Sequence, residues 1–267
     1  MNIKKYMEVF RLSFKMQIVW RFDVAMTMVA TVARIVAAWV LWQAIFEGKE
    51  LVGGFTIGAM LSYYVVCSIV SSIDFSHQIS GEVSWLIRDG RFSGHMVAPI
   101  NPLGFFGSMQ AGESAFHLSF SLIAAALCAV AFGMEVTLTT DVFCILLGLA
   151  MIPLGLVFMA AYHFWIGALT FKFLDIDFFL HVQGNAIAFA TGAMIPLALL
   201  PQGLLQALRL LPFTHVVYTP SMLLTGQINV QEGLFGLGVI AAWTAAMLLI
   251  AQRTYGRLRV KYDGVGI

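Results

Sequence analysis

The sequence predicts an all-α integral membrane protein with six transmembrane helices. Of its 267 residues, 60% are hydrophobic and only 11% are charged, and the mean hydropathy is +0.88. A soluble domain carries roughly 25% charged residues, and one globular core could not bury this much apolar surface. Six apolar segments have lengths close to or above the roughly 20 residues that a helix needs to cross a bilayer. We expect one transmembrane domain over residues 1–267, with spans at 24–46, 56–73, 105–132, 142–171, 183–200 and 233–251.

The segment before the first span, residues 1–22, predicts an amphipathic helix lying in the cytoplasmic membrane interface. Its apolar residues recur at helical spacing, and charged residues occupy the other stripe, where basic groups can meet anionic headgroups. The apolar stripe contains Ile3, Met7, Phe10, Phe14 and Ile18, and the polar stripe contains Lys4, Glu8, Arg11 and Lys15. A passive anchor and a mechanical role both fit this pattern.

The basic residues predict the orientation of the chain. With six spans, both termini share one side of the membrane, and the opposite side keeps only Lys49 and Arg209. Cytoplasmic loops carry the excess of Lys and Arg, so we expect both termini in the cytoplasm and the chain in a bacterial plasma (inner) membrane. The expected cytoplasmic basic residues are Lys4, Lys5, Arg11, Lys15, Arg21, Arg88, Arg91, Lys172 and, in the tail 253–267, Arg253, Arg257, Arg259 and Lys261.

Residues 74–104 form the largest predicted cytoplasmic loop, and they contain a short amphipathic helix. Ile79, Val83 and Ile87 fall on one face of that helix, and Gly90 is placed to end it in a left-handed cap. So short a helix is marginal in water alone. We therefore expect it to lie on a surface, either the bilayer or another protein.

The apolar residues 201–226 are interrupted by Pro201, Arg209, Pro212 and Pro220. The helical pieces between these residues are too short to cross the bilayer. Irregular backbone at membrane depth must be buried in protein or line a cavity, so we expect an outward-facing broken hairpin that is re-entrant or lies at the membrane surface.

The order of elements resembles the permease subunit of ABC-2 type ABC transporters. The elements are an amphipathic helix, two spans, a loop containing "IRDGRFSGHMVAPINP", and four more spans with a broken hairpin before the last. The loop is similar to the I-x-x-G … P-x-x-P form of the six-span permeases in the viologen- and drug-exporter branch. The resemblance covers the whole chain in layout.

This resemblance implies that the loop helix is a coupling helix seated on an ATP-hydrolysing subunit. It further implies two copies of that ATPase, a second permease in a homodimer or heterodimer, and short outward-facing helices at 201–226. An ordinary solvated connector is the alternative for the loop. The implied contact residues are His77, Ile79, Glu82, Val83, Trp85, Leu86, Arg88, Asp89, Gly90 and Arg91.

The ATPase is expected to be a separate chain, because the sequence has no phosphate-binding loop. The Gly48–Lys49 pair is preceded by Gln43 where the first glycine of that loop belongs, and is followed by Glu50 instead of Ser or Thr. We therefore expect no enzymatic activity and no cofactor on this chain, with ATP and Mg²⁺ on the partner. No nucleic-acid partner is expected.

Ionisable residues within predicted spans are candidates for function, since each costs roughly 2.5–3.5 kcal/mol on insertion scales. Counted from the span ends, Arg34, Glu113 and His163 fall at one depth, and His117 follows Glu113 by one helical turn. We expect Arg34 and Glu113 to pair. The pair can be structural, or Glu113 can face a cationic substrate. No metal site is expected, because no second pair of ligands accompanies the histidines.

Three functions are compatible with a polytopic chain of this kind. The first is export of a small amphipathic or cationic compound, driven by a separate ATPase. The second is a secondary transporter, for which an inverted repeat would be expected and none is evident. The third is a membrane-embedded transferase, which would need clustered catalytic groups. Asp175 and Asp177 are the nearest acidic pair, and we interpret them as a turn between the fourth and fifth spans.

Overall fold

The computed structural model describes residues 3–19, 21–74, 76–173 and 175–261. The regular structure of these residues is helical. The end of the predicted tail, residues 262–267, lies outside the described residues. The helices are α1 (Ile3–Met16), α2 (Arg21–Phe46), α3 (Ile57–Ser72), α4 (Ser76–Arg88), α5 (Ser93–Val97), α6 (Pro102–Ala131), α7 (Val142–Ala168), α8 (Thr170–Phe173), α9 (Asp177–Ala190), α10 (Gln202–Leu208), α11 (Tyr218–Leu224) and α12 (Val230–Leu258). Short three-ten helices lie at Leu197–Leu199, Pro212–His215 and Arg259–Lys261.

Within the described ranges, five segments are long and apolar enough to cross a membrane, one fewer than the six expected spans. The second of these segments extends over the two separate helices α3 and α4. The expected fifth span, residues 183–200, is not a continuous helix. The helix there is α9, whose 14 residues rise about 21 Å. It ends just before Gly192, which has a φ of 76°, and Pro196 follows four residues later.

The chain between α7 and α12 nevertheless passes from one end of the helix bundle to the other. Helices α7 and α12 run parallel: Phe164 and Tyr255 have ring centroids 5.8 Å apart near their last turns, and Leu147 lies against Gly233 near their first turns. The connection must therefore return to the starting end. It does so through α9, α10, α11 and the three-ten turns between them. The Tyr63 hydroxyl fixes this path where α9 ends, by donating to the carbonyl of Gly192 at 3.0 Å.

Side-chain caps define where four long helices begin. Thr56, Asn101, Asp141 and Asn229 each accept a hydrogen bond from a backbone N–H in the first turn of α3, α6, α7 and α12. Such caps satisfy donors that have no partner within the helix. In α6 the next residue is Pro102, whose fixed φ suits the first helical position.

Helix α1 packs along the first half of α6. It therefore contacts the helix bundle as well as the membrane surface. Phe14 meets Phe116 edge to face with ring centroids 5.3 Å apart, and Ser13 is buried opposite Gly112. A side chain at Gly112 would overlap the backbone carbonyl of Phe10. The contact with α6 therefore uses Phe14 of the predicted apolar stripe together with Ser13, which lies outside that stripe. Ile3 and Met7 of the predicted apolar stripe are exposed and remain available to lipid.

Candidate docking helix and polar residues at membrane depth

The predicted loop helix is α4, and it ends at a glycine. Gly90 has a φ of 76°, a left-handed conformation that glycine adopts without strain. The Phe92 N–H then donates to the carbonyl of Leu86 at 3.0 Å, and the Gly90 N–H donates to that of Ile87 at 3.2 Å. These bonds satisfy carbonyls at the helix end and turn the chain towards α5.

The apolar face of α4 is buried against the protein's own bundle. Val83 lies directly against Gly167 of α7, which has no side chain to separate the two helices. The Ser80 hydroxyl lies 3.2 Å from Nδ1 of His163. Of the residues expected to contact a partner, Ile79, Val83 and Leu86 are buried in this interface. These side chains hold the helix in place, and the contact of α4 with a partner stays a prediction.

The opposite face of α4 is open, and Trp85 is its largest apolar group. The Trp85 side chain is 48% exposed, and the guanidinium of Arg91 lies 5.2 Å from its ring centroid. Arg91 in turn pairs with Asp89 at 2.6 Å. His77 is also exposed, and Glu82 is half-buried. We call Trp85, Asp89 and Arg91 the Trp85 patch.

Arg88, at the end of α4, is tied to the start of α9. Its guanidinium donates two hydrogen bonds to the carboxylate of Asp177, at 3.1 and 3.2 Å. Asp177 was interpreted from sequence only as part of a turn. A bidentate salt bridge restricts the relative orientation of its two partners more than a single hydrogen bond does. The pair therefore orients α4 and α9 relative to each other.

His95 stabilises the loop that follows the Trp85 patch. Its ring packs against three phenylalanines, with centroids 5.5 Å from Phe92, 5.1 Å from Phe105 and 5.3 Å from Phe106. This burial lowers the pKa of His95 below its usual value, since a charged imidazolium loses hydration among apolar rings. The histidine therefore packs as one ring of an aromatic cluster.

Arg34 and Glu113 do not pair. Ile35, next to Arg34, packs in a cluster with Val65 and Ala125. Ala125 lies 12 residues beyond Glu113, about 18 Å along α6 at 1.5 Å per residue. The two residues therefore lie at different depths, and the Arg34 side chain is exposed. The ion pairs of the described residues are Arg88–Asp177, Arg91–Asp89 and Arg209–Glu232.

The two histidines at membrane depth belong to different contacts. His163 on α7 meets Ser80 of α4, whereas Nε2 of His117 on α6 lies 3.3 Å from Oε1 of Gln17, just beyond α1. Both rings are buried. The expected cluster of four polar residues is therefore not assembled. Over the described ranges, no group of three or more His, Cys, Asp and Glu side chains is arranged to hold a metal ion.

A polar contact that the sequence did not reveal joins the broken segment to α12. Arg209 pairs with Glu232 at 3.2 Å. His215 donates to the carbonyl of Arg209 at 2.8 Å, and its other ring nitrogen lies 2.8 Å from the hydroxyl of Thr219. The spacing of these residues carries no periodic signal. Only the folded path of 201–226 brings them together, around a cavity of about 280 Å³.

A sequence model of the ABC-2 family transporter protein matches residues 32–266. The chain belongs to the ABC-2 transporter family. The match confirms the resemblance to ABC-2 permeases and identifies a multi-pass membrane permease of an ABC-type transporter, a class that works with an ATPase partner. A search of curated proteins finds no match.

The ABC-2 match includes α4, the Trp85 patch and the broken segment. It begins within α2 and leaves out α1.

Proposed function

We propose that the protein is the permease subunit of an ABC-2 exporter, moving a small amphipathic or cationic compound out of the cell. ATP is hydrolysed by a separate subunit, which docks on α4. One observation carries the proposal: α4 is fixed to the bundle through its apolar face and leaves Trp85 48% exposed between charged residues. The few residues that dominate binding energy at protein interfaces are enriched in tryptophan, tyrosine and arginine.

The contacts between the buried face of α4 and the helix bundle suit α4 to transmit a displacement to the bundle. Val83 against Gly167 and Ser80 against His163 couple it to α7. The Arg88–Asp177 pair couples it to α9. A displacement of the Trp85 patch by an ATPase therefore reaches two segments of the bundle. One of them, α9, leads into the broken crossing.

A second permease, as a homodimer or heterodimer, accounts for polar groups exposed on another face. Arg34 on α2 is exposed, and so are His181 and Asn185 on α9. Charged and polar side chains are unfavourable against lipid. Cys67 on α3 links the two regions: it interacts electrostatically with Arg34, and its Sγ lies 3.9 Å from the carbonyl of Gly192 beyond α9. We propose that this face meets the second permease and lines the transport path.

The docking proposal is tested by Trp85→Ala in the tagged full-length chain, purified from membranes of its host. A captured ATPase is identified by photolabelling with 8-azido-ATP. We expect Trp85→Ala to reduce the labelled partner at least about tenfold, because truncated hot-spot residues cost about 2 kcal/mol or more. Trp243→Ala is the matched control, since Trp243 is 41% exposed but lies on α12. If both variants captured the same amount of labelled ATPase, the Trp85 patch would not be part of the interface. Transport that continues without ATP would instead favour a secondary transporter.

A further inference from the structure

The proposed transport function does not assign a role to a groove on the outer surface of the bundle. Its floor is α7, its walls are α6 and α12, and Tyr6 of α1 closes one end. The groove has a volume of about 500 Å³, within the range of roughly 300–1,000 Å³ typical of ligand sites. Pro153 and Val157 of the floor are exposed, so the groove opens sideways to the membrane.

The lining of the groove changes along its length. Most of it is apolar, formed by residues such as Leu156, Val157 and Leu248. Polar side chains at Tyr6, Asn101 and Gln252 also contribute. This composition fits an amphipathic molecule better than a wholly apolar one.

Gln110 supplies a hydrogen-bond donor on the α6 wall. Its side chain is 3% exposed, it lines the groove, and its amide Nε2 is buried without a partner. An unpaired polar group in apolar surroundings is unfavourable. A ligand with an oxygen acceptor would satisfy it.

Basic groups stand beside the polar residues of the groove. The Lys5 ammonium donates to the carbonyl of Pro99 at 3.0 Å, two residues before Asn101. Arg253 directly follows Gln252 and is exposed. Positive charge at this position complements an anionic headgroup.

We propose that this groove binds one membrane phospholipid. An acyl chain lies along α7, an ester carbonyl accepts from the amide of Gln110, and the phosphate lies near Lys5 and Arg253. The bound lipid fills the space between α6 and α12 and contacts α1 through Tyr6. The proposal does not depend on the transport function, since it concerns a site in the folded permease whatever its cargo.

The test uses the full-length chain in vesicles that contain phosphatidylglycerol with a diazirine on its acyl chain. After illumination, mass spectrometry maps the lipid adducts. We expect them to concentrate on Leu156, Val157 and Leu248 relative to Leu122 and Leu127, which are exposed on α6 outside the groove.

Gly107→Leu tests occupancy, because a side chain built at Gly107 meets no atom within 4 Å and would project into the groove that Gly107 lines. We expect it to abolish most groove adducts, whereas Gly238→Leu leaves them unchanged. Gly238 is also a helical glycine with open space around it, but it lies outside the groove. Gln110→Leu should weaken retention of the lipid about 3- to 10-fold, the effect of losing one hydrogen bond.

Adducts spread evenly over exposed residues and unchanged by Gly107→Leu would overturn the proposal, since they would show annular lipid only. Evenly spread lipid adducts are also expected if a transported compound, and not a phospholipid, occupies the groove. If Gly107→Leu does not give a monodisperse protein, Gly107→Ala and Gln110→Leu are compared by native mass spectrometry, and retained lipid equal to the unaltered protein would also refute the site.

Discussion

Replacing Gly167 with alanine should loosen the seating of α4 on α7. The added methyl group would lie 2.8 Å from Cβ of Val83 and 3.1 Å from the carbonyl oxygen of Ser80. Overpacking of this kind typically costs about 1–3 kcal/mol, while alanine in place of a helical glycine returns about 0.5–1 kcal/mol. The clash is the larger effect. The difference spans about 0–2.5 kcal/mol, and a net loss of about 1–2 kcal/mol within that range raises the population of detached α4 about 5- to 30-fold.

The assay measures thiol labelling at position 84. Ser84 lies on α4 and is fully buried, so the thiol introduced by Ser84→Cys reacts with a maleimide only when the helix detaches. The native cysteines Cys67, Cys128 and Cys144 are buried, and they are replaced by alanine in the reference protein. Labelling at position 84 should be about 5- to 30-fold faster when Gly167→Ala is present.

Gly81→Ala is the matched control. Gly81 lies on the exposed face of α4, and a side chain there meets no atom within 4 Å. Gly81→Ala should stabilise α4 without a clash, so the thiol at position 84 should be labelled at an equal or slower rate. If Gly167→Ala labels no faster than the reference protein, α4 is not seated on α7 as the structure has it, and the transmission route fails.

Three further predictions concern other contacts. Gly112→Val should displace α1 from α6, because its side chain would overlap the α1 backbone; trypsin should then cleave α1 faster, and an unchanged rate would contradict the contact. Arg88→Ala and Asp177→Ala should each lower the unfolding free energy by no more than about 1 kcal/mol, since the pair is partly exposed; a double-mutant cycle on thermal unfolding should give a coupling of similar size, and zero coupling would remove the link to α9. Tyr63→Phe should cost about 0.5–1.5 kcal/mol through its bond to Gly192, measured as a lower Tm, and an unchanged Tm would show that this bond does not hold the broken crossing.

Four of the long helices lie close to their predicted positions because apolar length is a local property. The predicted spans 105–132 and 142–171 correspond to α6 at Pro102–Ala131 and α7 at Val142–Ala168. The loop helix was also predictable, since Gly90 and a short apolar stripe are visible in the sequence. The orientation of the termini and the copy number of the partners stay predictions.

The fifth span was not predictable from hydropathy, because composition does not show whether an apolar segment is one helix. Residues 183–200 are apolar enough on average, yet the backbone turns at Gly192 and is interrupted at Pro196.

The pairing of Arg34 with Glu113 was wrong for a related reason. Depth was counted from assumed span ends, as if every span began at one plane. Packing instead places Ile35, the residue after Arg34, in a cluster with Ala125, about 18 Å along α6 from Glu113. The relative height of two helices is a tertiary property, and the sequence pattern of each helix alone does not carry it.

The most direct test of the docking account is photocrosslinking from position 85 in living cells. Trp85 is replaced by p-benzoylphenylalanine in the full-length chain, and Trp243 is replaced in a parallel strain. The account predicts a crosslinked species from position 85 that also binds 8-azido-ATP, and none from position 243. A nucleotide-binding adduct from position 243 alone, or from neither position, would contradict the claim that α4 is where the energy-supplying subunit docks.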